Sequence, residues 1–155
     1  MERRFRLQPV LHFRQNREEV LTMELGKLQA EELAARNFLE ELRGESDRTL
    51  TETAELLGAG KVDLAAVEQG FVYAEAVQAA IATQVGILAG ASARVEAKRA
   101  EVIEAMQQRK VLEKLKQRHD RAYDEWATRV EQGNIDDMVT VRYNRRAASG
   151  EDVAS

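Results

Sequence analysis

The chain predicts an all-α protein: two long helices forming an antiparallel coiled-coil hairpin with an overhanging C-terminal helix. Three observations lead there. Aromatic residues make up 5% of the 155 residues, charged residues 32%, and Pro9 is the single proline. That composition suits long helices and a thin core, because compact domains of this size use more aromatic bulk. Apolar residues recur at alternating steps of four and three, the signature of a coiled-coil seam. One glycine-bearing break, Gly58-Ala59-Gly60, divides the pattern near the middle of the chain.

The first seam runs Leu7, Leu11, Arg14, Glu18, Leu21, Leu25, Leu28, Glu32, Ala35, Leu39 and Leu42. Its polar members cost stability but can set register. The pattern fades over the polar stretch 44–53, and Gly58 and Gly60 are placed to stop the helix and turn the chain. Asp63 is positioned as an N-cap for the next helix. A second seam follows: Leu64, Val67, Phe71, Ala74, Gln78, Ile81, Val85, Leu88, Ser92, Val95, Arg99, Val102 and Met106. Its register shifts near Gln107 and resumes at Leu112, Leu115, His119, Ala122 and Trp126, which reads as a stutter.

The expected boundaries are therefore a single hairpin over 1–147 and a flexible tail over 148–155. Helix one spans about 5–57, the turn 58–63, and helix two about 64–145. Gly133-Asn134 is a weak point in helix two. Across the pairing, Ala34 and Ala35 are expected to face Gly86 and Gly90 and to let the helices approach closely. The longer second helix leaves Tyr123, Trp126, Ile135, Met138, Val141 and Tyr143 beyond the start of the first, needing a partner or exposed.

Several function classes fall away. The net charge of −4 gives no global attraction to nucleic acid, and no nucleic-acid motif frames the arginines. There is no cysteine, so thiolate chemistry and disulfides are out. With no cysteine in the chain and the expected pairing placing His12 near Arg109, His12 and His119 do not read as ligands or catalysts, and Asp136 and Asp137 diverge by about 100° on a helix. No glycine loop precedes a Lys-Ser/Thr pair as in a phosphate site. The opening Met-Glu-Arg-Arg-Phe-Arg-Leu lacks an apolar signal core, and the apolar stretch Val85–Ala93 is too short to span a bilayer. The expectation is a soluble cytoplasmic protein, not an enzyme, with no cofactor, metal or small-molecule substrate. It acts by binding other proteins.

Charge supplies the first candidate site. Arg3, Arg4, Arg6, Arg14 and Arg17 open helix one, and Arg109, Lys110, Lys114, Lys116, Arg118 and Arg121 lie in helix two. A turn near Gly60 brings both groups to the open end, while the hairpin end is more acidic. The most pointed apolar candidate is Phe71, which also fits the seam, with Phe38 and Tyr73 off the seam nearby.

Two stretches resemble a known family. Phe5-Arg-Leu-Gln-Pro-Val-Leu-His-Phe-Arg14 with Glu18-Glu19 is similar to the start of the flagellar export protein FliJ family. Arg109-Lys-Val-Leu-Glu-Lys-Leu-Lys-Gln-Arg118, then Tyr123, Ile135-Asp136-Asp137-Met138 and Arg142-Tyr143, is similar to its C-terminal half. The family usually has Leu-Asp-Glu where Ile-Asp-Asp stands here. The resemblance implies a stalk-like adaptor of flagellar type III protein export, akin in shape to the stalk of a rotary ATPase. Its implied partners are the hexameric export ATPase FliI, the export gate protein FlhA and export chaperones. It implies a cytoplasmic location at the flagellar base, with contact to the inner membrane only through the export apparatus. Arg4, Arg6, Lys114, Arg118 and Trp126 are then expected to meet the ATPase, and Phe71, Tyr73 and Phe38 the export gate. The chain is expected to be monomeric alone. The competing reading is a structural coiled-coil scaffold that self-associates through parallel helices.

Overall fold

The computed structural model describes residues 2–151. Two helices account for nearly all of them, α1 over Gln8–Gly58 and α2 over Leu64–Glu151, packed against each other with no strand among the described residues. Gln8 N donates to Phe5 O and Leu11 N to Leu7 O, which starts α1. Pro9 lies in the first turn, where its missing N–H leaves no helical bond unmade. The turn is followed by the expected N-cap. Asp63 Oδ1 accepts from Ala65 N at 3.1 Å and Ala66 N at 3.3 Å, and Asp63 O accepts from Val67 N.

The chain divides into two units. One is Arg17–Met106; the other joins the residues up to Asn16 with α2 from Gln107 onward. In the first unit, interhelical contacts run from Ser46–Gln78 through Ala35–Gln84 and Glu32–Ser92 to Glu24–Lys98. Numbers fall on α1 as they rise on α2, so these segments run antiparallel. In the second unit, Arg14 meets Gln108 and Phe5 meets His119, again in antiparallel sense.

The seam of α1 goes further than its apolar residues suggest. Buried or half-buried positions recur as 11, 14, 18, 21, 25, 28, 32, 35, 39, 42, 46, 49 and 53. The polar stretch does not interrupt it: Ser46, Thr49 and Thr53 are buried. Small hydroxyls can occupy a seam when their polar atoms are satisfied inside it. Thr53 Oγ1 donates to Thr49 O at 2.8 Å, and Ser46 Oγ accepts from Gln78 Nε2 at 2.8 Å. Among the described residues, no buried side-chain polar atom lacks a partner. The charged seam residues are likewise satisfied. Arg14 Nη1 donates to Gln108 Oε1 at 2.6 Å, and Glu32 Oε1 accepts from Ser92 Oγ at 2.7 Å. Leu7, expected in the seam, precedes the helix and is exposed.

On α2 the register differs from the expected one at every second position. The covered residues are Val67, Gly70, Ala74, Val77, Ile81, Gln84, Leu88, Ala91, Val95, Lys98, Val102 and Ala105. Phe71, Gln78, Val85 and Arg99 are exposed instead. The same spacing continues through Arg109, Leu112, Lys116, His119 and Tyr123, so α2 has no stutter at Gln107. Apolar counting could not separate the two registers, because they share Val67, Ala74, Ile81, Leu88, Val95 and Val102. The structure covers Gly70, Gln84, Ala91 and Lys98 at the alternate layers, Gly70 against Thr53, Gln84 bonded to Ala35 O and Lys98 to Glu24, and leaves bulky Phe71 outside.

The close approach also sits elsewhere than expected. Gly86 and Gly90 face open space. Gly70 is the tight position: a methyl group there would overlap Thr53 Oγ1 and stand 3.3 Å from its Cγ2. At the turn, no described residue has a positive φ, so Gly58 and Gly60 do not end α1 through a left-handed cap. Gly58 is the last residue of α1 itself. Gly133 and Asn134 are helical, and α2 is continuous through them. Residues 148–151 are helical too, and the remainder of the expected tail lies outside the described residues.

The uncharged stretch of α2 is longer than Val85–Ala93. It includes an 18-residue window apolar enough, by length and composition, to cross a bilayer. Its inner face is committed to α1, however. Gln84 Nε2 donates to Ala35 O at 2.9 Å, and Val77, Ala91 and Val95 are buried.

Candidate functional site

Two exposed surfaces carry the residues singled out in the sequence. The first lies in the unit that joins the N-terminal residues to the later part of α2. Before α1 begins, the chain crosses α2, and the Phe5 ring packs on the His119 ring with centroids 5.7 Å apart. Arg4, Phe5, Arg6 and Leu7 line a shallow hollow together with His119. Arg118 adjoins His119 in sequence, and Lys114 lies five residues earlier; both are exposed. The aromatic contact therefore gathers the two basic groups that the sequence places far apart. His119 Nδ1 also lies 3.4 Å from Asp120 Oδ1. Trp126 packs on Tyr123 at 5.7 Å between centroids and remains 39% exposed. Sequence reasoning singled out the basic residues but missed Phe5 and His119 as the clamp between them. An isolated aromatic facing an isolated histidine leaves no periodic signal.

The second surface is on α2 just after the turn. Phe71 is 54% exposed rather than packed in the seam. Leu64 and Val72 share its face and are also exposed, and Glu68 and Glu75 flank it along a shallow groove. Leu64 was expected in the seam and Val72 was not singled out; Leu64 stands seven residues before Phe71, so both leave the seam together when the register changes. Tyr73 turns toward α1, where its hydroxyl donates to Glu45 Oε1 at 3.1 Å. That hydrogen bond, and then the charge of Glu45, raise the Tyr73 pKa above the ordinary phenol value. Phe38 is exposed but does not join this face. It lies one turn from Ala35, the partner of Gln84, which is about 20 Å along α2 from Phe71.

Nothing in either surface resembles a reaction centre. Among the described residues, no group of three or more His, Cys, Asp or Glu side chains is placed to hold a metal ion. His12 Nε2 lies 3.1 Å from Gln8 Nε2 on the outside of α1. Asp136 and Asp137 are exposed on α2. The chemistry available is charge, aromatic area and shape.

Comparison with known families gives one match. The family model described as "Flagellar FliJ protein" matches residues 3–148, nearly the whole chain. No curated protein and no solved structure matches it. The family is a non-enzymatic, export-related component of the flagellum, which suggests a location in the cytoplasm or at the flagellar base. With residues 3–148 matched, the chain belongs to the flagellar FliJ protein family.

Proposed function

We propose that this protein is a stalk-like adaptor of flagellar type III protein export, docking its basic end on the export ATPase ring and its Phe71 face on the export gate. The observation that carries the reading is the Phe5–His119 contact, which brings the N-terminal arm bearing Arg4 and Arg6 to the stretch of α2 that bears Arg118. Basic residues gathered at one place steer and orient association with an acidic ring far better than the same charges dispersed. Past Ala127 every described residue of α2 through Gly150 is exposed, which supports an overhanging C-terminal helix with Trp126 near its root. The exposed Leu64, Phe71 and Val72 supply an apolar face, rimmed by carboxylates, for the gate. Tyr73 and Phe38 then play lesser parts, since one is bonded to Glu45 and the other lies about four turns away. Escort of unloaded export chaperones belongs to the same reading.

The test is binding to the purified export ATPase hexamer at two salt concentrations. Exposed charges are screened beyond roughly 10 Å at 0.1 M salt, so affinity should fall as salt rises. Lys114→Glu with Arg118→Glu should slow association while leaving helix content unchanged. Phe71→Ala should weaken binding to the export gate and leave the ATPase interaction intact. Binding that ignores both salt and the double reversal removes the basic end from the docking surface.

A further inference from the structure

The face of α2 beyond Ala127 has a pattern that neither proposed docking surface uses. Ile135, Met138, Val139, Val141 and Tyr143 are each more than half exposed. A lone helical segment of this length, with Gly133 and Asn134 inside it, is marginal in water without a face to pack on. The heptad spacing names one such face: Ala127, Glu131, Asn134, Met138, Val141, Arg145 and Ala148, at steps of four and three.

The two charges of that series are opposite in sign and stand two layers to either side of Met138, and both ends are alanine. Reflected through Met138, Glu131 falls level with Arg145, seven residues to either side, while Ala127 and Ala148 fall one residue short of level, as do Asn134 and Val141. Beside the seam, Ile135 falls level with Val141, and the large Tyr143 ring with Gly133. The glycine has nothing within 4 Å, so the ring has room. Neither Glu131 nor Arg145 makes an ion pair with another described residue of its own chain. A parallel pair would set Glu131 on Glu131 and Arg145 on Arg145, which is repulsive at both layers. An antiparallel pair makes the Glu131–Arg145 layer twice, as an isologous interface requires.

We propose that residues 127–148 form a self-complementary seam through which two copies of this chain associate antiparallel about a two-fold axis at Met138. The inference does not rest on the export reading. Alone, the protein is then a monomer–dimer equilibrium rather than the strict monomer expected from its sequence. The dimer covers the segment running on from Trp126, so a second copy and an ATPase ring compete for it.

Analytical ultracentrifugation over a concentration series tests the association. Wild-type protein should show a concentration-dependent dimer. Glu131→Arg alone and Arg145→Glu alone should each raise the dissociation constant by about tenfold, by replacing two attractive layers with two repulsive ones. An equimolar mixture of the two variants should regain wild-type association, because each layer is again opposite in charge. Geometry is tested by cross-linking, which the absence of native cysteine makes clean. Met138→Cys should oxidise to a disulfide-linked dimer and Val141→Cys should not. Protein that stays monomeric up to about 1 mM overturns the proposal. So does a variant mixture no tighter than the single variants, or Val141→Cys cross-linking as readily as Met138→Cys. A monomeric protein whose Met138→Lys variant loses ATPase binding assigns the face to the ring instead, and equally overturns it.

Discussion

Gly70 and Thr53 form a pair whose fit can be tested by substitution. Gly70→Ala gains about 1 kcal/mol of helix propensity but forces a methyl group onto a buried, hydrogen-bonded hydroxyl. Overpacking of that kind costs about 1–3 kcal/mol, so net destabilisation is expected in urea unfolding. In a Thr53→Ala background the sign should reverse. Gly86→Ala meets no neighbour and should stabilise by about 1 kcal/mol. Lys98 offers a second residue-scale test. Its amine lies 2.9 Å from both Glu24 and Glu101, and these hydrogen bonds raise its pKa above the ordinary lysine value. A raised pKa means stability that is full below about pH 10.4 and lost as pH climbs through the folded value. Tyr73, raised by Glu45, acts in the same direction from about pH 10 upward. The urea midpoint should therefore fall on the alkaline side, and Lys98→Arg should flatten part of that fall because arginine does not titrate there.

At the scale of elements, the two helices end by different means. The start of α2 depends on Asp63, whose carboxylate accepts from two backbone amides. Asp63→Ala should cost about 1 kcal/mol, while Asp63→Asn, which keeps the acceptor, should cost far less. The end of α1 needs no glycine conformation, because φ at Gly58 is not positive. Gly58→Ala should leave the melting temperature level or slightly raised, and a marked drop would mean that the left-handed cap exists in solution. The seams between these ends are polar near the turn and more apolar toward the middle. Ser46, Thr49 and Thr53 bury less apolar area than Leu21 and Leu39, so the turn end holds with less hydrophobic stabilisation.

For the molecule as a whole, stability should be graded along the chain. Amide exchange should be slowest around Leu39 and Val95, where side chains are only 3% and 2% exposed. It should be fastest over 128–150, where no residue is covered within the chain. Hydrogen exchange followed by mass spectrometry resolves this gradient. Protection over 128–150 that grows with protein concentration, with the rest unchanged, is the signature of the antiparallel dimer. Uniform protection along both helices would contradict the graded picture.

The residues by themselves determined that there are two helices, where they break, and that Asp63 caps the second. Those features depend on local chemistry: heptad spacing, a capping carboxylate, and scarcity of proline and aromatics. They also carried the family resemblance. Only tertiary structure decided which of two α2 registers faces α1. The two share half their positions, and what separates them is the volume available opposite each layer, a property of the partner helix. That choice moved Phe71 from the seam to the surface, put Gly70 rather than Gly86 at the close approach, and removed the stutter. It also brought Phe5 onto His119. Two side chains so distant in sequence leave no periodic trace, and only packing could place them together.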